Sequence, residues 1–511
     1  MNRQLDVPRG AVAAARKRLH KASCQSERTV LLGTILLASA LSVATGYLLA
    51  QCFSVDVLSS LLWVPQDCWV DWGMHVGRHC FGDYPPVAEA GMQPNPWAPS
   101  GEVPAIFRAL PTGSAYPAAG MLPHLVFGFP AKWLGAPLLG MIGYLLALTI
   151  AVLSPAVWAA RGAVGLERVV VFVALGAAAI PAWAVLDRGN SVGFVVPLAL
   201  VFLIALCRER WGLVAIMVVL AALVKPQFAV LVVAMFAARQ WRWGGVALGG
   251  VAITNLGAYL LWPRDFPGTI AQSMHNMSTY SHYFPGLIDM RNVSFARALL
   301  VLPDMAKAAQ AGRIPDGFLA GPRSQIGYVI LAVIVVAVLA LGRRIPPVLV
   351  GIVLLAGAAL SPGLTMFYYL VFVLPVAALV VRDPGGPSGV GIFDRLASGE
   401  GRRRVVGICV SFAAALSIAQ VALPGQMYPI PIFGQDGAGG IVGTVPTVLT
   451  TQGLAPLLWL LASAVIIVSY VRRPARSQSD QTPGHEGLAA ATGASSHTSE
   501  QMTESLPQAP A

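Results

Sequence analysis

Charged residues are scarce in this chain of 511 residues: they make up only 11% of it, against about 25% in soluble domains. Hydrophobic residues account for 56%, and the mean hydropathy is +0.68. Hydrophobic runs of about 17 to 25 residues recur from Thr29 to Val471, and each could cross a bilayer core about 30 Å thick as a helix. This composition argues against a soluble domain and predicts an all-α polytopic membrane protein.

Motifs for nucleotide binding are also missing. No Walker, Rossmann or nucleophile-elbow pattern occurs, so no cofactor is expected. Six cysteines are few for this length; Cys68 and Cys80 share a polar loop, where they could form a disulfide or remain free thiols. His75 and His79 are four residues apart, but no glutamate follows His75 as in zincins. We therefore predict packing or acceptor contact for these histidines, and no metal.

The positive charge of the chain has a topological explanation. The net charge is +11, but the basic residues cluster between hydrophobic runs and do not form the aromatic-interleaved stripe of a nucleic-acid binder. Residues 1–29 are strongly basic, which places the N-terminus in the cytoplasm by the positive-inside rule. The first apolar stretch is long for a cleavable signal peptide. We expect a multi-pass protein of the plasma (inner) membrane that has lipid as its surroundings and no nucleic acid as a partner.

Hydropathy and charge parity together predict about twelve transmembrane helices within residues 30–473. The predicted spans lie near 30–50, 136–158, 169–186, 191–207, 211–223, 228–238, 244–262, 322–341, 346–360, 364–381, 405–423 and 452–471. Nearly every basic cluster then falls on the cytoplasmic side, together with both termini. Residues 474–511 are polar and rich in small residues, which predicts a disordered cytoplasmic tail.

Because successive connections between spans alternate between the two sides of the membrane, the polar segments fall on the side opposite to the basic clusters. The longest is the first extracytoplasmic loop, 51–135, which is acidic where the cytoplasmic loops are basic. Its end, 117–135, is apolar but interrupted by three prolines, and we interpret it as interfacial or re-entrant. The pair 211–223 and 228–238 is short for full spans, which indicates two half-helices, although one long span kinked at Pro226 is an alternative.

Three residues in these segments are candidates for chemistry. Lys225 lies inside the hydrophobic region, where a cation costs at least a few kcal/mol and usually serves a function; the alternative is that it snorkels to the surface. As a functional residue, Lys225 would hold a lipid phosphate. Asp67 and Asp71 are four residues apart, so on a helix they would share a face, and either carboxylate could deprotonate a sugar hydroxyl.

An ordered set of short motifs resembles glycosyltransferase family 87. The landmarks are Asp71 followed by Gly82-Asp83-Tyr84-Pro85, then Gly189-Asn190, Lys225-Pro226, Asn292-Val293-Ser294 and Leu360-Ser361-Pro362. The resemblance runs from about Asp67 to Tyr369. It implies a GT-C fold and transfer of mannose or arabinose from polyprenyl phosphate. The family's aromatic or histidine cluster after Ser361-Pro362 lacks histidine here, so the resemblance does not identify the donor sugar.

The resemblance also implies roles for individual residues. Asp71 corresponds to the catalytic base of an inverting reaction, with Asp67 as the second candidate, while Lys225 would bind the donor phosphate. Further substrate contacts are expected from the residues at the landmarks and from nearby polar groups. They are Asn190, Arg188, Asn292, Arg291, Arg264 and Ser361, of which the three arginines are suggested by charge and placement.

Three readings remain from sequence. The first is a glycosyltransferase that uses a polyprenyl-phosphate sugar, most readily mannose, and a glycolipid or polysaccharide acceptor of the cell envelope. The second is a lipid-linked glycan flippase or secondary transporter, which should carry its ionisable groups near the bilayer midplane on paired broken helices. The third is a non-catalytic scaffold, in which Asp71 and Lys225 could be replaced without loss.

Overall fold

The protein is predominantly helical in a computed structural model that describes residues 26–53, 81–99, 113–400, 404–432 and 441–471. In the first half of the chain the helices are α1 (Glu27–Phe53), α2 (Tyr84–Gly91), α3 (Ala118–Trp133), α4 (Pro137–Ala160), α5 (Leu166–Phe172), α6 (Ile180–Arg188), α7 (Val195–Cys207), α8 (Trp211–Val224), α9 (Val233–Ala237) and α10 (Trp241–Gly257). Short 3-10 or π turns extend several of them: Val173–Ala177 after α5, Ser191–Phe194 before α7, Pro226–Val232 before α9 and Ala258–Leu261 after α10.

The second half adds further helices and one hairpin. They are α11 (Gly268–Ser281), α12 (Phe284–Ile288), α13 (Phe295–Leu299), α14 (Val301–Ala311), α15 (Ala320–Leu341), α16 (Pro347–Leu360), α17 (Val373–Val381), α18 (Ile392–Glu400), α19 (Arg404–Ile418), β1 (Ala422–Ile432), β2 (Ile441–Thr450) and α20 (Ala455–Val471). The 3-10 turns here are Gly342–Arg344, Phe367–Phe372 and Thr451–Leu454.

All twelve predicted spans are helical over most of their length, but not all are long enough to be called spans. Within the described part of the chain, five helices have the length and hydropathy to cross a membrane, and the bent pair Leu166–Ala177 and Ile180–Arg188 could form a sixth crossing. Six shorter apolar helices account for the other predicted spans. The coarse expectation of a helical membrane protein is therefore met, and the count of twelve crossings stays a prediction.

The centre of the bundle is formed by α16 and α17. Every residue from Val348 to Leu360 and from Val373 to Val381 is buried. A helix that is apolar all round is expected in such a position, because it needs no polar face. The long helices α1, α4, α10, α15 and α20 lie outside this centre and keep many exposed apolar side chains, as lipid contact requires.

The connections between helices form two groups. Members of the same group contact one another. In one, Arg28 donates to Gly389 O, Arg208 to Pro384 O and Arg343 to Ala238 O. In the other, hydrogen bonds link residues 81–91 with 187–190 and with Trp262, and a second set links residues 284–299 with 361–369 and with Gln452. The basic connections thus share one end of the bundle, and the polar segments predicted to face outward share the opposite end.

Two predictions about the outward segments can be compared with the structure. The segment 117–135 contains α3, whose 16 residues span about 24 Å, short of a bilayer core; its interfacial or re-entrant placement stays a prediction. The segment after α19 contains the antiparallel hairpin β1–β2, with Ala422 paired to Thr450 and Ile432 to Ile441. The expected all-α architecture therefore holds for the described residues apart from this hairpin.

Candidate functional site

The candidate site begins at residues 81–83, which are bonded to the end of α6. Phe81 N donates to Asp187 O at 2.8 Å, and Asp83 N donates to Arg188 O at 2.9 Å. These two backbone bonds attach the middle of the first polar loop (51–135) to the last turn of α6. Residues separated by about a hundred positions are thereby held side by side.

The turn after α6 explains why Gly189-Asn190 occurs there. Gly189 has φ of +63°, a left-handed conformation that ends the helix and that most residues adopt only with strain. Tyr144 Oη donates to Gly189 O at 2.9 Å. Asn190 Oδ1 accepts from Val192 N at 2.9 Å, which caps the following 3-10 turn. The turn is therefore fixed on both sides, and the Asn190 amide nitrogen remains for the site.

Asp83 connects Arg188 and Asn190 through hydrogen bonds to its two carboxylate oxygens. Its Oδ1 accepts from Arg188 Nη2 at 3.0 Å, and its Oδ2 accepts from Asn190 Nδ2 at 2.6 Å. Burial on its own would raise the pKa of Asp83, but the Arg188 guanidinium, the Asn190 amide and the Lys225 ammonium together hold that pKa below its ordinary value. Asp83 is therefore an ionised carboxylate with both oxygens engaged.

Lys225 lies at the break between α8 and the 3-10 turn that begins at Pro226. Proline at this position prevents an unbroken helix, so the side chain leaves the backbone at a helix end. Lys225 is only 8% exposed, and its Nζ is 4.2 Å from the ring centre of Tyr116 and 5.9 Å from that of Tyr369. No described residue accepts a hydrogen bond from this ammonium, whose nearest polarisable neighbours are the two rings.

Tyr116 closes the cluster on the side of the first polar loop. Its hydroxyl is 3.3 Å from Asn190 Nδ2, and its carbonyl accepts from Trp97 Nε1 at 2.8 Å. Burial, and secondarily the Asp83 carboxylate, raises the pKa of Tyr116 well above its ordinary value. The phenol is therefore neutral and can donate a hydrogen bond. Tyr369 stacks on Tyr368 on the opposite side, with ring centres 5.3 Å apart.

The chemistry open to this arrangement follows from its charges. Among the described residues, Arg188 and Lys225 are the cations of the cluster, and Asp83 pairs with Arg188. The Lys225 ammonium has three N–H donors, and no described residue accepts a hydrogen bond from it. An anionic group such as a phosphate is the ligand that this combination of charge and donors favours.

The structure places the predicted substrate-binding residues in different surroundings. It brings Arg188, Asn190 and Lys225 together. Asn292 instead joins two loops, because its amide donates to Gly363 O at 2.8 Å and accepts from Thr365 N at 3.2 Å. Ser361 is buried at the end of α16 and donates to Gly357 O at 2.6 Å.

The two remaining arginines lie nearer the surface of the same end of the bundle. Arg291 forms an ion pair with Asp289 at 2.8 Å. Arg264 is exposed in the connection between α10 and α11. No contact of either residue with Arg188, Asn190 or Lys225 is among those that the structure describes, so their roles in binding stay predictions.

The predicted bases Asp67 and Asp71 lie outside the described residues, as do Cys68, Cys80, His75 and His79. The structure adds Asp83 and Tyr116, which sequence reasoning did not assign to the site. Asp83 was within reach of that reasoning, because it belongs to the Gly82-Asp83-Tyr84-Pro85 landmark. No signal in the sequence indicated Tyr116, whose contact with Lys225 arises only from folding.

Comparisons with known proteins supply no further identification. No family model, no curated protein and no solved structure matches the chain. The function is therefore inferred from the residues of the site alone.

Proposed function

We propose that the protein is an integral membrane glycosyltransferase with a GT-C-like architecture. It moves a hexose or pentose, most readily mannose, from polyprenyl phosphate to a glycolipid or glycan of the cell envelope at the extracytoplasmic face. The observation that carries the proposal is Lys225, a buried ammonium from which no described residue accepts a hydrogen bond. It lies beside the Arg188–Asp83–Asn190 group at the end of the bundle remote from the basic connections.

The geometry supports a donor that carries both phosphate and hydrocarbon. Lys225 and Arg188 would hold the phosphate, since charge-assisted hydrogen bonds to phosphate are among the strongest available. The apolar residues Val192 and Phe228 follow Asn190 and Lys225 by two and three positions. The polyprenyl chain would remain in the surrounding bilayer while its phosphate contacts the two cations.

The reaction needs a base that the described cluster does not supply. Asp83 is a poor candidate, because both of its oxygens accept hydrogen bonds and its pKa is low. We assign the base to Asp71, with Asp67 second, because both precede the anchored Phe81 in the same loop. The base removes the proton of the acceptor hydroxyl, whose oxygen bonds to the anomeric carbon. The bond from that carbon to the phosphate oxygen breaks with inversion, and Lys225 stabilises the departing polyprenyl phosphate.

The test is sugar transfer by purified protein in lipid nanodiscs. Labelled polyprenyl-phosphate-mannose and polyprenyl-phosphate-arabinose are offered with envelope glycolipid acceptors. We expect wild-type protein to transfer one of the sugars, Asp71→Asn to be inactive, and Lys225→Ala to require far more donor. Lys132→Ala is the matched control, because Lys132 is exposed on α3. Absence of transfer by wild type, or full activity of both Asp71→Asn and Asp67→Asn, would refute the proposal.

A second function has a specific observation in its favour. Lys225 separates the short helices Trp211–Val224 and Pro226–Ala237, and Arg188 ends a helix pair that is bent by 45°. Paired broken helices around charged groups are typical of transporters. A lipid-linked glycan flippase would move labelled donor across proteoliposomes without acceptor and without breaking the sugar–phosphate bond. Transfer activity that needs an acceptor distinguishes the enzyme from this alternative.

A further inference from the structure

Helix α14 (Val301–Ala311) has the reverse of the usual distribution of polar and apolar side chains. Its inward face carries Asp304, which is 2% exposed, while Leu302 and Met305 on the outward face are 72% and 64% exposed. In water this arrangement would be unfavourable on both counts, because it buries a charge and exposes apolar side chains. An apolar environment would stabilise the outward face.

The inward carboxylate fixes the position of α14 relative to α15. Arg323 forms a two-pronged ion pair with Asp304, in which Nη1 is 3.0 Å from Oδ2 and Nη2 contacts Oδ1. Arg297 adds a bond from Nη1 to Asp304 Oδ2 at 3.2 Å. Arg323 lies in the first turn of α15, which begins at Ala320 and is long and apolar enough to cross a membrane. The ion pair therefore holds α14 at the depth of the end of a membrane span.

Apolar side chains are also exposed beside and along that span. Leu319 precedes α15 and is 39% exposed, and Val329 and Val333 along α15 are 60% and 63% exposed. Arg313 follows α14, is 78% exposed and lies 3.7 Å from Asp316; a long basic side chain at such a place can reach lipid phosphates. This combination is typical of a helix that lies in the membrane interface.

We propose that α14 is an interfacial helix whose Leu302 and Met305 insert at the boundary between headgroups and acyl chains of the bilayer. The buried Arg297–Asp304–Arg323 group attaches it to α15. The segment 263–321, which lies between the predicted spans 244–262 and 322–341, would thus contain a lipid contact. This inference does not depend on the proposed function, because it uses neither Lys225 nor a substrate.

Spin labels at single cysteines test the proposal directly. The six native cysteines are replaced by serine, and cysteine is introduced in separate variants Leu302→Cys, Met305→Cys, Val333→Cys and Asp316→Cys. Each labelled protein is reconstituted into vesicles of phosphatidylethanolamine and phosphatidylglycerol. Collision of the label with oxygen, which concentrates in lipid, is compared with collision with a water-soluble nickel chelate. Val333 is the lipid control within α15, and Asp316, whose side chain is 83% exposed, is the aqueous control.

We expect labels at positions 302 and 305 to favour oxygen over nickel, to a smaller degree than at 333, while the label at 316 favours nickel. Two results would overturn the proposal. Nickel preference at 302 and 305 equal to that at 316 would show that the face is in water. Immobilised labels that neither reagent reaches would show that protein covers it, either a second copy of the chain or residues 54–80.

Discussion

Replacing Lys225 by methionine should weaken donor binding without weakening the fold. Methionine has a similar length but no charge, so Lys225→Met removes the ammonium from the site and keeps most of the packing. A hydrogen bond to a charged group contributes about 1.5–3 kcal/mol, and 1.4 kcal/mol corresponds to a factor of ten. We therefore expect the KM for the polyprenyl-phosphate donor to rise by about 10- to 150-fold.

The effect on stability should be neutral or favourable. Lys225 is 8% exposed, no described residue accepts a hydrogen bond from it, and its contacts are the rings of Tyr116 and Tyr369. The loss of these cation–π contacts, about 0.5–2 kcal/mol each, is offset because the charge no longer has to be desolvated. A purely structural lysine would behave differently, since its removal would lower stability and leave the affinity for donor unchanged.

Donor titration and thermal unfolding in the same nanodiscs separate these cases. Lys132→Met is the control for a lysine outside the site. Lys225→Arg should restore part of the affinity, because it returns the charge in a different shape. If Lys225→Met unfolds at a markedly lower temperature and still binds donor as wild type does, the assignment of Lys225 to the site is wrong.

Three further predictions concern the surroundings of the site. Asp304→Asn should destabilise the fold by about 3–5 kcal/mol, because it breaks a buried ion pair, whereas Asp316→Asn, in an exposed pair, should change stability by less than about 1 kcal/mol; thermal unfolding of the two variants measures the difference, and equal midpoints would contradict the argument. The pKa of Asp83 is lowered in the folded protein, so its ionisation contributes stability that is present above the ordinary value of 3.8 and is lost as the pH falls through the folded value. The advantage of wild type over Asp83→Asn in unfolding temperature should accordingly shrink below about pH 4, and an advantage that stays constant down to pH 3 would exclude this linkage. Gly189→Ala and Gly165→Ala both place a side chain at positive φ and should each cost about 1–2 kcal/mol, but only the first should reduce donor affinity, since Gly165 lies at the opposite end of the bundle. Equal effects of the two variants on donor affinity would show that the turn after α6 does not position the site.

Helix positions could be predicted well from sequence because they depend on local hydropathy. The predicted span 346–360 matches α16 (Pro347–Leu360), and the break at Pro226 occurs where the proline requires it. The hairpin β1–β2 could not be predicted in this way. Its strands contain several prolines and glycines, which disfavour strand assignment, and its stability depends on pairing between residues up to 28 positions apart.

The candidate site could be predicted only in part for a related reason. Lys225 stood out because a charge inside a hydrophobic region is unusual, Arg188 was suggested by its charge and placement, and Asn190 belongs to the Gly189-Asn190 landmark. Asp83 also belongs to a landmark, but the resemblance gave the role of base to Asp71 and no role to Asp83. What distinguishes Asp83 is the pair of backbone bonds from Phe81 and Asp83 to α6, and such long-range contacts leave no periodic pattern.

The charge distribution of the site favours a ligand over a purely structural role. If Asp83 served only to neutralise Lys225, direct pairing of the two would be the most stable arrangement, because a buried ammonium without an acceptor is costly. Asp83 instead accepts from Arg188 and Asn190, and no described residue accepts a hydrogen bond from Lys225. An anion bound beside Lys225 would offset the free-energy cost of burying the ammonium, and this gain would contribute to the binding affinity of the anion. A transferase and a transporter of lipid-linked sugars would both bind an anion here, so the charge of the ligand does not distinguish them. The fate of the sugar–phosphate bond does, because only a transferase can cleave it in a way that depends on Asp71 and on an acceptor.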